Sequence, residues 1–134
     1  MMLKKLRSKI GVAVAATTVA VTPALFLASP AHAAVSGTAL CDAYNPSIPI
    51  VGVWINSSND AHDGWATWSR VSGQPWKATY SKSNIAAGET YKVHVGCGGT
   101  TASWNQTAYS GWVTGGQNFI CHVSNSPAQR VCFS

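Results

Sequence analysis

Tryptophan carries most of the chemistry on offer in this chain. Trp54, Trp65, Trp68, Trp76, Trp104 and Trp112 are joined by Tyr44, Tyr80, Tyr91 and Tyr109. An indole can fill a core, anchor a protein interface or stack on a sugar ring, and its neighbours indicate which. Trp76, Tyr80 and Tyr91 suit a core, the first two sharing a strand face with Ala78. Trp104 stands among Thr, Ser, Asn and Gln, and Trp112 alternates with Ser110 and Thr114. Trp54 lies opposite Val51, Val53 and Ile55 on its own strand. Trp65 and Trp68 are three apart, so a regular strand sends one to the core and the other to solvent. We assign binding to Trp54, Trp68, Trp104 and Trp112. Rings beside uncharged polar groups make a surface for carbohydrate or for a protein partner.

Catalytic chemistry has less to work with. Beyond the first 33 residues the carboxylates are Asp42, Asp60, Asp63 and Glu89. A glycosidase needs two of them across a cleft, whereas Asp60 and Asp63 share one short loop and read as solvated turn formers. No Gly-x-Ser-x-Gly elbow occurs. His62, His94 and His122 have no order that pairs one of them with a serine, and His94 and His122 read as outward strand positions. Asn59-Asp60-Ala61-His62-Asp63 has metal-capable groups but no matching second cluster, so it reads as a polar loop with no metal or other cofactor. Gly96-Cys97-Gly98-Gly99 has the look of a nucleophile in a tight loop. With Cys41, Cys121 and Cys132 also present, disulfides are the expected use of Cys97. Three pairings are possible. We favour Cys121–Cys132, closing a hairpin around 124–127, which leaves Cys41–Cys97.

The first residues set the compartment. Lys4, Lys5, Arg7 and Lys9 precede an apolar run from Ile10 to about Leu27, and Ala31-His32-Ala33 supplies a small-x-small cleavage signal. Residues 1–33 are therefore expected to be a cleaved secretory leader, and residues 34–134 one domain in an extracellular, oxidising compartment. Most of the basic charge leaves with the leader. The remainder has five basic against four acidic side chains, a net charge of +1. That gives no warrant for a nucleic-acid partner, nor for a membrane partner after cleavage. We expect a monomer.

Elements that could position these groups are short and β-rich. Ile50 to Asn56, Gly64 to Val71, Trp76 to Tyr80, Tyr91 to Cys97, Thr107 to Thr114, Gln117 to Val123 and Arg130 to Phe133 alternate apolar and polar residues between Gly, Pro, Asn and Ser clusters. Ala34 to Leu40 is small and polar and reads as a frayed or edge segment. Thr100 to Gln106 reads as a loop. The fold class is all-β, a small disulfide-stabilised antiparallel β-sandwich or barrel.

The run Ile85-x-x-Gly88-x-x-Tyr91-x-Val93-x-Val95 resembles the corner and following strand of fibronectin type III and related immunoglobulin-like sandwiches. Ala87 stands where that family usually has Pro. The resemblance implies two packed sheets, with the Tyr91 hydroxyl bonded back to backbone upstream. It implies no function.

The reading is a small secreted, non-catalytic binding protein that contacts polysaccharide or cell-wall material through tryptophan. A secreted inhibitor of a hydrolase, amylase or protease, is the alternative. Amylase inhibitors of the tendamistat type share the idea of a two-disulfide β scaffold, but Trp68-Ser69-Arg70 breaks their Trp-Arg-Tyr triplet. An antimicrobial or toxin domain ranks lower, given the small charge. Asn56-Ser57-Ser58 and Asn105-Gln106-Thr107 match the glycosylation sequon.

Overall fold

The computed structural model describes residues 34–124 and 130–134. The expected leader, residues 1–33, and the tip of the expected turn, 125–127, lie outside the described residues. Nine strands form in chain order: β1 Val35–Leu40, β2 Ile50–Ser57, β3 Gly64–Trp65, β4 Thr67–Val71, β5 Gln74–Lys82, β6 Tyr91–Gly99, β7 Trp104–Tyr109, β8 Phe119–His122 and β9 Val131–Phe133. Among the described residues there is no α-helix, only a single 3-10 turn at Asp60–His62. The all-β expectation holds.

All nine strands belong to one sheet in the order β3-β2-β6-β7-β9-β8-β1-β5-β4. Pairing is antiparallel except for β1 with β8 and β7 with β9. The two end strands, β3 and β4, are consecutive in the chain and separated only by Ala66. One run of backbone thus pairs with β2 through its first part and with β5 through its second. Ala66 N–H donates to the Val53 carbonyl at 3.0 Å, and Arg70 Nε donates to the Ile50 carbonyl at 3.0 Å. The sheet is thereby nearly closed into a barrel, which leaves little unpaired edge to recruit another chain. Parallel β1–β8, antiparallel β8–β9 and parallel β9–β7 join the two halves of the sheet into one continuous ladder.

The segment expected to be a frayed edge is an interior strand. β1 lies between β5 and β8, with Val35 and Ala39 buried. Its small residues are a packing requirement: a Cβ on Gly37 would stand 2.0 Å from the Gln117 carbonyl oxygen. The core behind the strands contains Ile50, Val53, Ile55, Ile85, Tyr91, Val93, Val95 and Phe119, all essentially inaccessible. Tyr91, Val93, Val95 and Cys97 point inward as the alternation predicts.

Two tyrosines pin the stretch between β7 and β8. The Tyr91 hydroxyl donates to the Gly115 carbonyl at 2.7 Å and the Tyr80 hydroxyl to the Gln117 carbonyl at 2.6 Å. The partner of Tyr91 lies downstream in the chain, where the resemblance implied an upstream one. Burial raises both phenols, and the hydroxyl of Tyr80, 3.4 Å away, adds to the effect on Tyr91. The disulfides are Cys41–Cys97 and Cys121–Cys132. Among the described residues no helix is long and apolar enough to cross a membrane.

Candidate functional site

The outer face of β2, β3, β6 and β7 collects the rings. Side chains alternate along a strand, so Gly52, Trp54 and Asn56 share the outer side of β2, and Lys92, His94 and Gly96 that of β6. Register then sets them side by side: Trp54 lies opposite Trp65 of β3 and opposite His94 of β6, and His94 lies opposite Tyr109 of β7. Four strands thus contribute one lateral row, Trp65–Trp54–His94–Tyr109. Its contacts are edge-to-face, with centroids 5.1 Å apart for Trp54 and Trp65 and 4.8 Å for His94 and Tyr109. This is the geometry that ring quadrupoles prefer.

In the next row β2 and β6 contribute no side chains. Gly52 and Gly96 are register partners, and the indole of Trp104 lies over both. A Cβ on Gly52 would meet Trp104 Cζ2 at 2.3 Å, and one on Gly96 would meet Cδ2 at 2.1 Å. From this glycine floor Trp104 reaches Trp65, at a centroid distance of 5.6 Å and an interplanar angle of 72°. Thr101, Ala102 and Thr107 complete the rim of an open cleft of about 480 Å³, the size that takes a small ligand. Trp65 is its most accessible ring, 56% exposed.

His94 is half-buried in this cleft. Burial holds its imidazole below the ordinary histidine range, the Lys92 charge acts in the same direction, and Asp63 partly opposes them. The ring is therefore neutral near pH 7 and offers one donor and one acceptor. Beyond the row, Lys92 Nζ stands 5.0 Å from the centroid of Trp112, a cation–π contact on a ring that is 53% exposed.

Of the four tryptophans assigned to binding, Trp54 and Trp104 line the cleft. Trp112 lies further along, beside Lys92, and does not line it. Trp68 is partly buried and packs against the core cluster. Opposite facing of Trp65 and Trp68 is what their spacing predicts, but the accessible ring is Trp65. Thr67 and Ser69 share Trp65's parity while Ala66 shares Trp68's, a signal present in the sequence. Trp104, expected in a loop, opens β7, because β6 runs on through Gly98 and Gly99, at φ 73° and 86°, to pair with it.

A second cluster joins the 58–63 loop to the corner before β6. His62 Nδ1 stands 2.8 Å from Glu89 Oε1, and Ser57 Oγ donates to Glu89 Oε2 at 2.6 Å. Asp63 accepts from Ser57 N–H at 2.6 Å and so binds the loop rather than facing solvent. The serine proton points to the carboxylate and not to the imidazole, so the order is not that of an activated nucleophile. Its present use is a clamp. Burial alone would raise Glu89, but the hydrogen bonds from Ser57 and His62, the charge of His62 and the Ala86 backbone together hold it below its ordinary value of 4.5. A depressed carboxylate stabilises the fold fully above pH 4.5, and that contribution is lost as pH falls through the lower, folded value. Acid denaturation monitored by circular dichroism should therefore steepen below pH 4.5 in the native protein and flatten in Glu89→Gln. Equal slopes would remove Glu89 as a source of acid sensitivity.

Among the described residues no three His, Cys, Asp or Glu side chains converge as metal ligands. Compared with protein-family models, curated proteins and solved structures, the chain has no match.

Proposed function

We propose that this chain is an exported binding protein whose aromatic cleft holds carbohydrate. The observation that carries the reading is the convergence of Trp54, Trp65 and Trp104 with His94, Thr101, Thr107 and Tyr109 around one open cleft. Apolar ring faces cover the C–H faces of a sugar, while the imidazole and the hydroxyls match its hydroxyl groups. The walls stand at steep angles to each other, 85° and 72°, and do not form a flat platform. Such a corner suits one or two sugar units or a chain end better than the face of a crystalline polymer. Export is supported by the leader-like first residues and by two disulfides. In the same reading, the corner Ile85–Tyr91 is an immunoglobulin-like element within a barrel-like sheet, supported by the full burial of Tyr91.

The test is affinity electrophoresis on soluble polysaccharides, with tryptophan fluorescence titration by short oligosaccharides. Retardation by at least one polysaccharide is expected, with a loss of about tenfold in affinity for Trp65→Ala. Trp68→Ala, outside the cleft, should keep the affinity. Retention indifferent to Trp65, or none combined with inhibition of a secreted amylase or protease, would replace this reading with the inhibitor one.

A further inference from the structure

Trp65 belongs to two cavities. On one side is the aromatic cleft. On the other is a polar hollow of about 280 Å³ lined by Trp65, Thr67, Ser81, Lys82, Ser83 and Asn84. The indole is the ridge between them, and it is the most exposed ring of the cleft. A ligand seated against Trp65 from the cleft side therefore has a second, chemically different space adjoining the same residue.

The hollow has a defined charge. Lys82 Nζ donates to Asn84 Oδ1 at 2.6 Å, which holds the ammonium at the wall instead of leaving it to sweep through solvent. Gly64, next to Trp65, has no side chain to cover it; a Cβ there would stand 3.7 Å from Nζ. No acidic side chain lines either cavity among the described residues. Lys92, on the outer side of β6, is already seated against Trp112. Across Trp65 from the rings, then, is an anchored positive charge with hydroxyls around it and no carboxylate to neutralise it.

We propose that the ligand is an anionic glycan, with a sugar ring against Trp65 in the aromatic cleft and its carboxylate or phosphate held in the adjoining hollow by Lys82, Ser81 and Ser83. This rests on the carbohydrate reading of the cleft and names the class of sugar. Thr67 and Asn84 supply the remaining polar wall. An ammonium on a partly exposed wall contributes at most about 1 kcal/mol to such a contact, so the preference for an anionic over a neutral sugar is about fivefold. It shrinks as salt screens the pair.

Three probes separate the possibilities: a galacturonic acid hexasaccharide, a sugar-phosphate polymer of similar length and a neutral glucose hexasaccharide, each titrated by calorimetry at low and high salt. The native protein is expected to favour one or both anionic probes by about fivefold over the neutral one at low salt. Which anionic probe is favoured identifies the anion as carboxylate or phosphate. Lys82→Gln should abolish the preference and leave the neutral affinity unchanged, Lys82→Arg should retain the preference, and Trp65→Ala should weaken all three probes. Equal affinity for anionic and neutral probes, or a preference that survives Lys82→Gln, overturns the anionic assignment while leaving the cleft reading intact. Failure of all three probes to bind overturns both.

Discussion

Replacing Cys41 and Cys97 together by alanine should lower the folding stability by about 4 kcal/mol, the largest loss expected from removing either disulfide. The bridge closes a loop of 56 residues, and the entropy removed from the unfolded chain grows with that length. It also joins parts of the barrel that do not pair: Cys41 follows β1 and Cys97 lies in β6, and four places separate those strands in the sheet order. Both sulfurs are buried, so the substitution also leaves apolar volume unfilled. The other bridge is different in kind. Cys121 and Cys132 are register partners on the adjacent strands β8 and β9, only 11 residues apart, and the bond reinforces a ladder that already exists. Its loss should cost about 3 kcal/mol. A small domain has only about 5–15 kcal/mol in total, so the first variant should be marginal at room temperature and the second still folded. Urea denaturation of the two alanine pairs decides the order. A larger loss for the Cys121–Cys132 pair would show that reinforcement of the local ladder, and not loop closure, dominates.

The β6 strand was legible in the sequence because its information is local. Tyr91, Val93, Val95 and Cys97 alternate with Lys92, His94 and Gly96, and alternation alone assigns the inner and outer sides. What alternation cannot supply is the neighbour. Trp65, Trp54, His94 and Tyr109 become a row through the registers of three strand pairs, and no residue spacing encodes those. For the same reason Trp104 read as a loop residue, since its seat is made by two glycines on other strands. The composition of β1 points the wrong way: small polar residues normally mark a frayed end, but here they mark close approach by Gln117 and Asn118. The clamp between His62 and Glu89 joins residues 27 apart through one carboxylate, with no periodic pattern to betray it. Local order was readable, and long-range pairing, which makes the cleft, was not.

That dependence on an empty position gives the second large effect. Gly96→Ala should dismantle the cleft while leaving the barrel standing. Gly96 does not have a positive φ, so the backbone accepts alanine without strain. The obstacle is the indole: the new Cβ would stand 2.1 Å from Trp104 Cδ2 and 2.4 Å from Cε2, inside any tolerable contact. The ring must swing off the sheet, because the alternative is to move β6, which is paired on both sides by β2 and β7. Overpacking of this kind costs about 1–3 kcal/mol. The functional loss is greater, since Trp104 then leaves Trp65 and the cleft loses a wall. Carbohydrate affinity should fall by about tenfold or more, with tryptophan emission shifted to the red and the far-ultraviolet dichroism unchanged. Gly111→Ala is the control, because nothing lies within 4 Å of its added Cβ, and it should behave as native. The double variant Gly96→Ala with Trp104→Ala sharpens the test. If the collision with Trp104 is the whole effect, the double variant binds no worse than Trp104→Ala alone and regains part of the stability lost in Gly96→Ala. Additive losses would mean that Gly96 serves the sheet in some other way and that the glycine floor is not what seats the ring.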